Sequence, residues 1–132
     1  MTSRGLLDTS VFIATESRRP VAVELLPEES FVSVITMAEL EAGVLAARDT
    51  DTRARRLRTL QIAGQIEPLP IDPASAHHWA RMRFRLFETG RRAKVNDLWI
   101  ASVALANGMS VVTQDADFDV LAELGGPEIL RV

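Results

Sequence analysis

The sequence predicts an α/β fold in which a mainly parallel sheet of about five strands is covered by helices on both faces. Short apolar and β-branched runs alternate with longer segments whose apolar residues recur every three or four positions. Glycine and proline separate these segments at regular intervals. Strands that alternate with helices imply right-handed crossovers, and such crossovers connect parallel strands.

The predicted strands are short runs rich in apolar or β-branched residues. The run before Asp8 contains Leu6 and Leu7, and the run before Gln114 contains two valines. The run around Leu69 is bracketed by prolines. The predicted strands cover residues 4–7, 31–35, 67–71, 110–113 and 128–131.

The predicted helices lie between these strands. Pro20 is expected to start the second helix, because proline favours the first helical position. Thr36 is expected to cap the third. Trp79, Met82 and Leu86 form an apolar stripe on the longest helix. The predicted helices cover residues 11–15, 21–26, 36–48, 52–63, 73–89, 96–107 and 117–124.

Composition limits the classes of function. The chain has 132 residues, of which 47% are hydrophobic and 25% charged, and this predicts a single globular domain over residues 1–132. Because there is no cysteine, disulfides, thiolate metal sites and a cysteine nucleophile are excluded. The sequence shows neither a signal-peptide pattern nor an apolar run of the roughly 18–20 residues that a membrane span needs, so we expect a cytoplasmic protein without membrane contact.

Basic residues are clustered although the formal net charge is −3. One cluster extends from Arg81 to Lys94, and a second covers residues 53–58. Arginine suits phosphate contact because its planar fork binds two oxygens. Two solvated helix faces explain either cluster equally well, and the acidic balance of the chain argues weakly against a simple polyanion binder.

Four acidic residues fall at the same end of the predicted elements. Asp8 ends the first strand, and Asp115 follows the strand at residues 110–113. Glu39 and Asp97 lie in the first turns of helices. In open parallel sheets, ligands bind beyond the carboxyl ends of the strands. The four carboxylates are therefore expected to converge on one pocket.

Asp97 is the most informative of these acids. Residues 98–109 contain no ionisable side chain, so the helix that Asp97 begins is expected to be buried. A carboxylate that enters a buried site must be paired or must bind a metal. Glu39 lies off the apolar stripe of its own helix, on a side with small residues such as Gly43, where an ion or a second element has room to approach.

Such an acid set favours a hard divalent cation. Magnesium binds few carboxylates and keeps several waters, and the chain has no cysteine and no histidine at ligand spacing that would favour zinc. A magnesium or manganese site can activate water against a phosphodiester. Each acid also has a structural explanation, since Asp8 and Asp97 can cap helices, Asp115 can be a turn residue and Glu39 can complement a helix dipole. The convergence of all four is harder to explain in that way.

Four segments resemble the motifs of PIN domains, in the same order and at similar spacing. The segments are residues 6–10 (LLDTS), 33–43 with Glu39, Leu40 and Gly43 in an E-L-x-x-G arrangement, 96–101 (NDLWIA) and 111–118 (VVTQDADF). The resemblance extends from Leu6 to Phe118. A chain of this length most resembles the VapC toxins of VapBC toxin–antitoxin pairs.

The resemblance implies a Rossmann-like three-layer PIN fold and a metal-dependent endoribonuclease that inhibits translation and growth. It implies a cofactor, Mg²⁺ or Mn²⁺. It also implies a homodimer, and possibly a larger hetero-oligomer with a VapB-type antitoxin whose C-terminal segment packs in a groove; Val11, Phe12, Leu45 and Leu57 are candidate groove residues. Gln114 stands where arginine is frequent in the fourth motif, and this departure could alter RNA contacts.

The residues implied for the site fall into three groups. Catalysis and metal binding are expected from Asp8, Glu39, Asp97 and Asp115, with Asp117 as a further metal-binding acid. Ser10 and Thr113 match small polar positions that line such sites. The residues expected to guide the RNA backbone are Arg81, Arg85, Arg91, Arg92 and Lys94.

Other classes of α/β protein fit less well. A phospho-acceptor receiver domain would have paired acids after the first strand and a lysine near the last, whereas Asp8 stands alone and Lys94 precedes a helix. A haloacid-dehalogenase-type phosphatase would have a second acid at position 10, where the chain has Ser10. A catalytically silent PIN-like binding module remains the alternative.

Overall fold

The computed structural model describes residues 3–132, in which a parallel sheet is flanked by helices on both faces. The sheet order is β2-β1-β3-β4. The strands are β1 (Arg4–Leu7), β2 (Glu29–Phe31), β3 (Ser110–Thr113) and β4 (Ile129–Arg131). The helices are α1 (Thr9–Glu16), α2 (Val34–Ala46), α3 (Thr50–Ala63), α4 (Pro73–Thr89), α5 (Val95–Ala106) and α6 (Asp119–Glu123), with 3₁₀ turns at Val23–Leu25 and Ala116–Phe118.

The order of the strands reverses between β1 and β3. The chain runs from β1 to β2 on one side, and the later strands are added on the other side of β1. Leu7 pairs in register with Val112, and the Asp8 amide donates to the Val112 carbonyl at 2.8 Å. Residues that follow these two strands therefore meet at the switch point, where this class of fold binds ligands.

Alternate residues of the strands enter different cores. Leu6 and Val111 face the larger core with α4, α5 and α6, and Leu7 and Val112 face a smaller core with α1. This alternation follows from the period of two in a strand. The three layers that the sequence predicts are confirmed, and the long apolar helix α5 is buried against the sheet.

Helix α4 begins and ends at the residues that the sequence predicts. Asp72 accepts a hydrogen bond from the Ser75 amide as N-cap, and Pro73 stands in the first turn. Gly90 ends the helix in the left-handed conformation, with φ of +65°, which glycine adopts at little cost.

The strand predicted at residues 31–35 is wrong except at Phe31, since β2 covers Glu29–Phe31. The strand ends at Phe31, and Val34 already begins α2. The Ser33 hydroxyl accepts a hydrogen bond from the Thr36 amide and so caps the helix three residues before the predicted cap. Here the cap outweighs the β preference of the branched residues Val34 and Ile35.

The strand predicted at residues 67–71 is reduced to a single bridge between Ser33 and Leu69. The Leu69 amide donates to Val32, and its carbonyl accepts from Val34. The bridge cannot extend past Ser33, because Val34 already begins α2. The prediction of about five strands therefore becomes four strands and one bridge within the described residues.

The helix predicted at residues 21–26 is also wrong, since this segment holds only the 3₁₀ turn Val23–Leu25. Leu26 is extended, as expected for a residue that precedes a proline. The other predicted helices are present with boundaries shifted by at most two residues, except that the last is divided into a 3₁₀ turn and α6. Among residues 3–132, no helix has the length and apolar character needed to cross a membrane.

Gly5 provides a test of the close packing between β1 and its neighbours. A Cβ atom at this position would lie 2.6 Å from Val112 Cγ2 and 2.8 Å from Pro27 Cγ. Because Val112 is fully buried, Gly5→Ala is expected to lower the free energy of unfolding by about 1–3 kcal/mol in urea denaturation.

Gly43, in the interior of α2, is the matched control, because a Cβ there would meet only Arg56 Cδ at 3.9 Å. Gly43→Ala is expected to be neutral or to stabilise the protein by up to about 1 kcal/mol through helix propensity. Equal effects of the two substitutions would contradict the close-packing argument.

Candidate metal and active site

Asp8 and Thr113 connect the ends of the two central strands. The Thr113 hydroxyl donates to Asp8 Oδ2 at 2.9 Å and accepts from the Asp115 amide at 2.9 Å. Asp8 also accepts from the Ser10 amide and caps α1. Burial raises the pKa of Asp8, although hydrogen bonds from Ser10 and Thr113 oppose the shift. The Asp8 carboxylate is thus held in a fixed orientation at the switch point.

Asp97 lies in the first turn of α5 and is 9% exposed. Its Oδ2 atom is buried and has no hydrogen-bond partner within residues 3–132. Desolvation raises the pKa of Asp97 to about 7, and the charge of Asp8 adds to this shift. A buried carboxylate oxygen without a partner is costly, so this atom is available to a cation.

Asp115 and Asp117 bring further oxygens to Asp97. One carboxylate oxygen from each of the three residues lies within 4.8 Å of the other two. The Asp117 amide donates to Asp115 Oδ1 at 3.0 Å, and this bond holds the short turn after β3. The predicted site residues Asp97, Asp115 and Asp117 are therefore neighbours, while Asp8 joins them through Thr113.

Glu39 reaches the site through Thr9. The Thr9 hydroxyl donates to Glu39 Oε1 at 2.7 Å, and the Thr36 hydroxyl lies 3.0 Å from the same oxygen of Thr9. Thr9 and Thr36 are buried, so this contact fixes the carboxylate of Glu39. Glu39 also contributes to the raised pKa of Asp97, after Asp8 and Asp115.

Ser10 supports the same edge of the sheet. Its hydroxyl lies 3.1 Å from Thr113 Oγ1 and accepts from the Gln114 amide at 3.0 Å. Because the single proton of Thr113 goes to Asp8, Ser10 is the donor between the two hydroxyls. Ser10 and Thr113 therefore orient the acids through a hydrogen-bonded chain.

Lys94 contacts the acid cluster directly. Its Nζ lies 2.7 Å from Asp117 Oδ2, and both side chains are partly exposed. The contact with Asp117 raises the pKa of Lys94, as do the charges of Asp115 and Asp97. The sequence predicts Lys94 as an RNA contact, whereas the structure places its charge on an acid of the cluster.

The predicted RNA-contacting arginines do not form one surface of free charges. Arg85 donates to the Leu124 carbonyl at 2.9 Å, and Arg91 is paired with Glu123. Arg81 and Arg92 are exposed. On α3, Arg55 and Arg56 line a cavity of about 350 Å³ that also includes Glu39.

Sequence reasoning missed the roles of Thr9 and Thr36. Both are buried threonines whose hydroxyls meet beside Glu39. Thr9 and Thr36 are 27 residues apart, so no local pattern predicts their contact. The only local signal was the position of Thr9 beside Asp8.

Comparison with known proteins explains this arrangement. The profile of the PIN domain family matches residues 5–124, which is most of the chain. The chain belongs to the PIN domain family.

Individual PIN-domain proteins are similar over nearly their whole length. The chain is 52% identical to Ribonuclease VapC5 of Mycobacterium tuberculosis, over 97% of this chain and 95% of the relative. It is 41% identical to Ribonuclease VapC4 of the same organism, over 92% and 93% of the two chains. Among solved structures, the VapBC-5 toxin–antitoxin complex from Mycobacterium tuberculosis matches with a TM-score of 0.91 and 48% identity, covering 98% of this chain and 99% of the other.

The acid cluster of this PIN domain allows a test in the metal-free protein. An acid whose pKa is raised on folding favours the folded state at low pH, and this contribution is lost as the pH rises through the folded value. For Asp97 this stability is lost between pH 3.8, its ordinary pKa, and about pH 7, its pKa in the folded protein. With metal removed by a chelator, Asp97→Asn is expected to stabilise the protein, and by more at pH 8 than at pH 5, in thermal denaturation.

Asp51, an exposed acid in the first turn of α3, is the control. Asp51→Asn removes an acid of the same type and is expected to change stability little at pH 8. A stabilisation by Asp97→Asn that is equal at both pH values would rule out the buried charge as its cause.

Proposed function

We propose that this protein is a ribonuclease that acts as the toxin of a VapBC toxin–antitoxin pair and cleaves RNA with a bound Mg²⁺ or Mn²⁺. The observation that carries the proposal is the buried Asp97 carboxylate, which has one oxygen without a partner and lies beside the carboxylates of Asp115 and Asp117. The whole-length similarity to Ribonuclease VapC5 and to the VapBC-5 complex supports the nuclease and its pairing with an antitoxin.

The residues of the site suit a hard divalent cation. The available donors are carboxylate oxygens, which Mg²⁺ and Mn²⁺ prefer, and the sequence contains no cysteine for a softer metal. Burying the Asp97 carboxylate with one oxygen unpartnered is energetically unfavourable, and a bound cation would offset this desolvation penalty. We therefore expect Asp97 and Asp115 to hold the ion, with Asp8 close by.

The roles of the other residues follow from their contacts. A bound divalent ion lowers the pKa of water and stabilises charge on phosphodiester oxygens. Thr113 and Ser10 hold the Asp8 carboxylate in place, and Thr9 holds that of Glu39, which would orient the attacking water once an ion is bound. In-line attack would leave a 5′-phosphate and a 3′-hydroxyl.

RNA would approach past cationic side chains of α3, of α4 and of the segment before α5. Arg81 and Arg92 are exposed, and Arg55 borders the cavity that contains Glu39, whereas Arg56 in the same cavity donates to the Gly43 carbonyl. Arginine contacts to phosphate position a nucleic acid without specifying its sequence. Arg85 donates to the Leu124 carbonyl and Arg91 is paired with Glu123, so we assign these two arginines a structural role and not a role in RNA binding.

A groove between α1 and α3 is the surface that we expect the antitoxin to cover. It measures about 440 Å³, and its lining includes the apolar residues Val11, Phe12 and Ile62 as well as Arg55 and Arg58. Apolar anchors with acidic flanks would fit this groove. Of the four groove residues proposed from sequence, Val11 and Phe12 line it, while Leu45 and Leu57 do not.

All described elements contribute to one sheet and the helices packed on it, which supports our proposal that residues 1–132 form a single PIN domain. The homodimer expected from the resemblance remains a prediction.

Cleavage of total RNA by the purified protein, freed of antitoxin, tests the nuclease. Discrete products are expected with Mg²⁺ or Mn²⁺ and none with chelator. Asp97→Asn is expected to lower the cleavage rate by at least about 100-fold, because it removes the ligand whose oxygen has no other partner.

Asp51→Asn is the matched control and should cleave at the wild-type rate. Cleavage by Asp97→Asn at the rate of this control would contradict the role of Asp97. If the wild-type protein binds the metal but cleaves no RNA, the catalytically silent binding module becomes the better description.

Substitution in the groove tests the antitoxin surface. Ile62 is 53% exposed, so Ile62→Glu should fold normally. The substitution places a negative charge among the apolar residues that line the groove. It is expected to weaken binding of the VapB-type antitoxin at least about ten-fold in calorimetry and to leave RNA cleavage unchanged.

Phe87 on α4 is an exposed apolar residue outside the groove and serves as control. Phe87→Glu should leave the affinity for antitoxin unchanged. A loss of affinity with Phe87→Glu and not with Ile62→Glu would move the antitoxin to the α4 surface.

A further inference from the structure

Lys94 stands at the edge of the acid cluster in a position that helix stability does not explain. It is the N-cap of α5, and its side chain makes no capping hydrogen bond. The N-terminus of a helix carries partial positive charge, so a cation is unfavourable there. The carboxylates of Asp117 and Asp115, which face Lys94, offset this unfavourable interaction.

The type of cation is also unusual for this chain, which has fourteen arginines and a single lysine. The lysine ammonium is a compact point charge, whereas the guanidinium is a planar fork that binds two oxygens at once. A compact charge is the better substitute for a metal ion among closely spaced oxygens. At Asp117 Oδ2, the Lys94 ammonium lies 2.7 Å away, beside oxygens that are within 4.8 Å of one another.

Other cations near the cluster do not take this position in the described part of the chain. Arg91 and Arg92 line the same cavity as Lys94 and Asp117. Arg91 is paired with Glu123, and within residues 3–132 Lys94 is the residue that forms an ion pair with an acid of the cluster. A second divalent ion would have to displace the ammonium to bind Asp117 Oδ2.

We propose that the Lys94 ammonium is the second cation of the acid cluster, so that the site takes one divalent ion on the side of Asp97 and Asp115. This inference rests on the metal-dependent nuclease proposed above. A residue that only attracts RNA would not affect metal binding. The proposed role of Lys94 instead determines how many metal ions the protein binds when RNA is absent.

The test is a titration of the full chain, freed of antitoxin and RNA, with Mn²⁺ followed by calorimetry and electron paramagnetic resonance. The wild-type protein should bind one Mn²⁺ per chain. Lys94→Met should bind two, with the second at least ten-fold tighter than any second ion in the wild type, and should show the spectrum of a coupled pair. Because Lys94 is 69% exposed, the substitution should leave the core intact.

Two further variants serve as controls. Lys94→Arg keeps the positive charge and should still bind one ion. Lys94→Met combined with Asp117→Asn removes the carboxylate charge that the second ion needs and should return the stoichiometry to one.

Two coupled ions in the wild-type protein, or a single ion in Lys94→Met, would overturn the inference and leave the nuclease proposal intact. Absence of Mn²⁺ binding in every variant would overturn both. The two proposals can therefore fail separately, since one depends on whether the metal binds and the other on how many ions bind.

Discussion

The parallel pairing of β1 with β3 is the constraint on which the site depends. The Asp8 amide donates to Val112, and this bond places the Asp8 side chain opposite Thr113, more than one hundred residues away in sequence. Gly5 permits this pairing because a larger residue would collide with Val112 and Pro27. If the register of β1 slipped by one residue, its side chains would move to the opposite face of the sheet.

The acids that this pairing brings together repel one another, and the fold limits the cost in three ways. Threonine hydroxyls donate to Asp8 and Glu39, and Asp8 also caps α1. Asp97 lies in the first turn of α5, where the helix dipole favours negative charge. The remaining charge is offset in part by Lys94 and leaves one buried Asp97 oxygen for a cation.

The basic residues divide between structure and surface. Arg56 donates to the Gly43 carbonyl at 2.7 Å and fastens α3 to α2, and Arg85 fastens α4 to the turn that follows α6. These contacts show why a count of arginines along the sequence overstates the charge available to a polyanion. The Arg56 contact also joins α3 to α2, the helix that carries Glu39, so this side chain both supports the site and lines the cavity beside it.

The sequence by itself determined the alternation of strands and helices, the burial of α5 and the acids that stand at the carboxyl ends of β1 and β3. These features follow from local patterns, such as the unbroken apolar run after Asp97 and the proline and glycine that bound α4. It could not determine where β2 ends or that residues 67–71 form only a bridge, because the cap at Ser33 starts α2 and so ends the extended segment with which Leu69 pairs.

Only the tertiary structure decided which charges meet. The contact of Thr9 with Glu39 spans 30 residues and that of Thr113 with Asp8 spans 105. The pairing of Lys94 with Asp117 depends on how the start of α5 packs beside the turn after β3. Hydrogen bonds and ion pairs act over a few ångströms, and that proximity is set by the packing of the sheet and its helices.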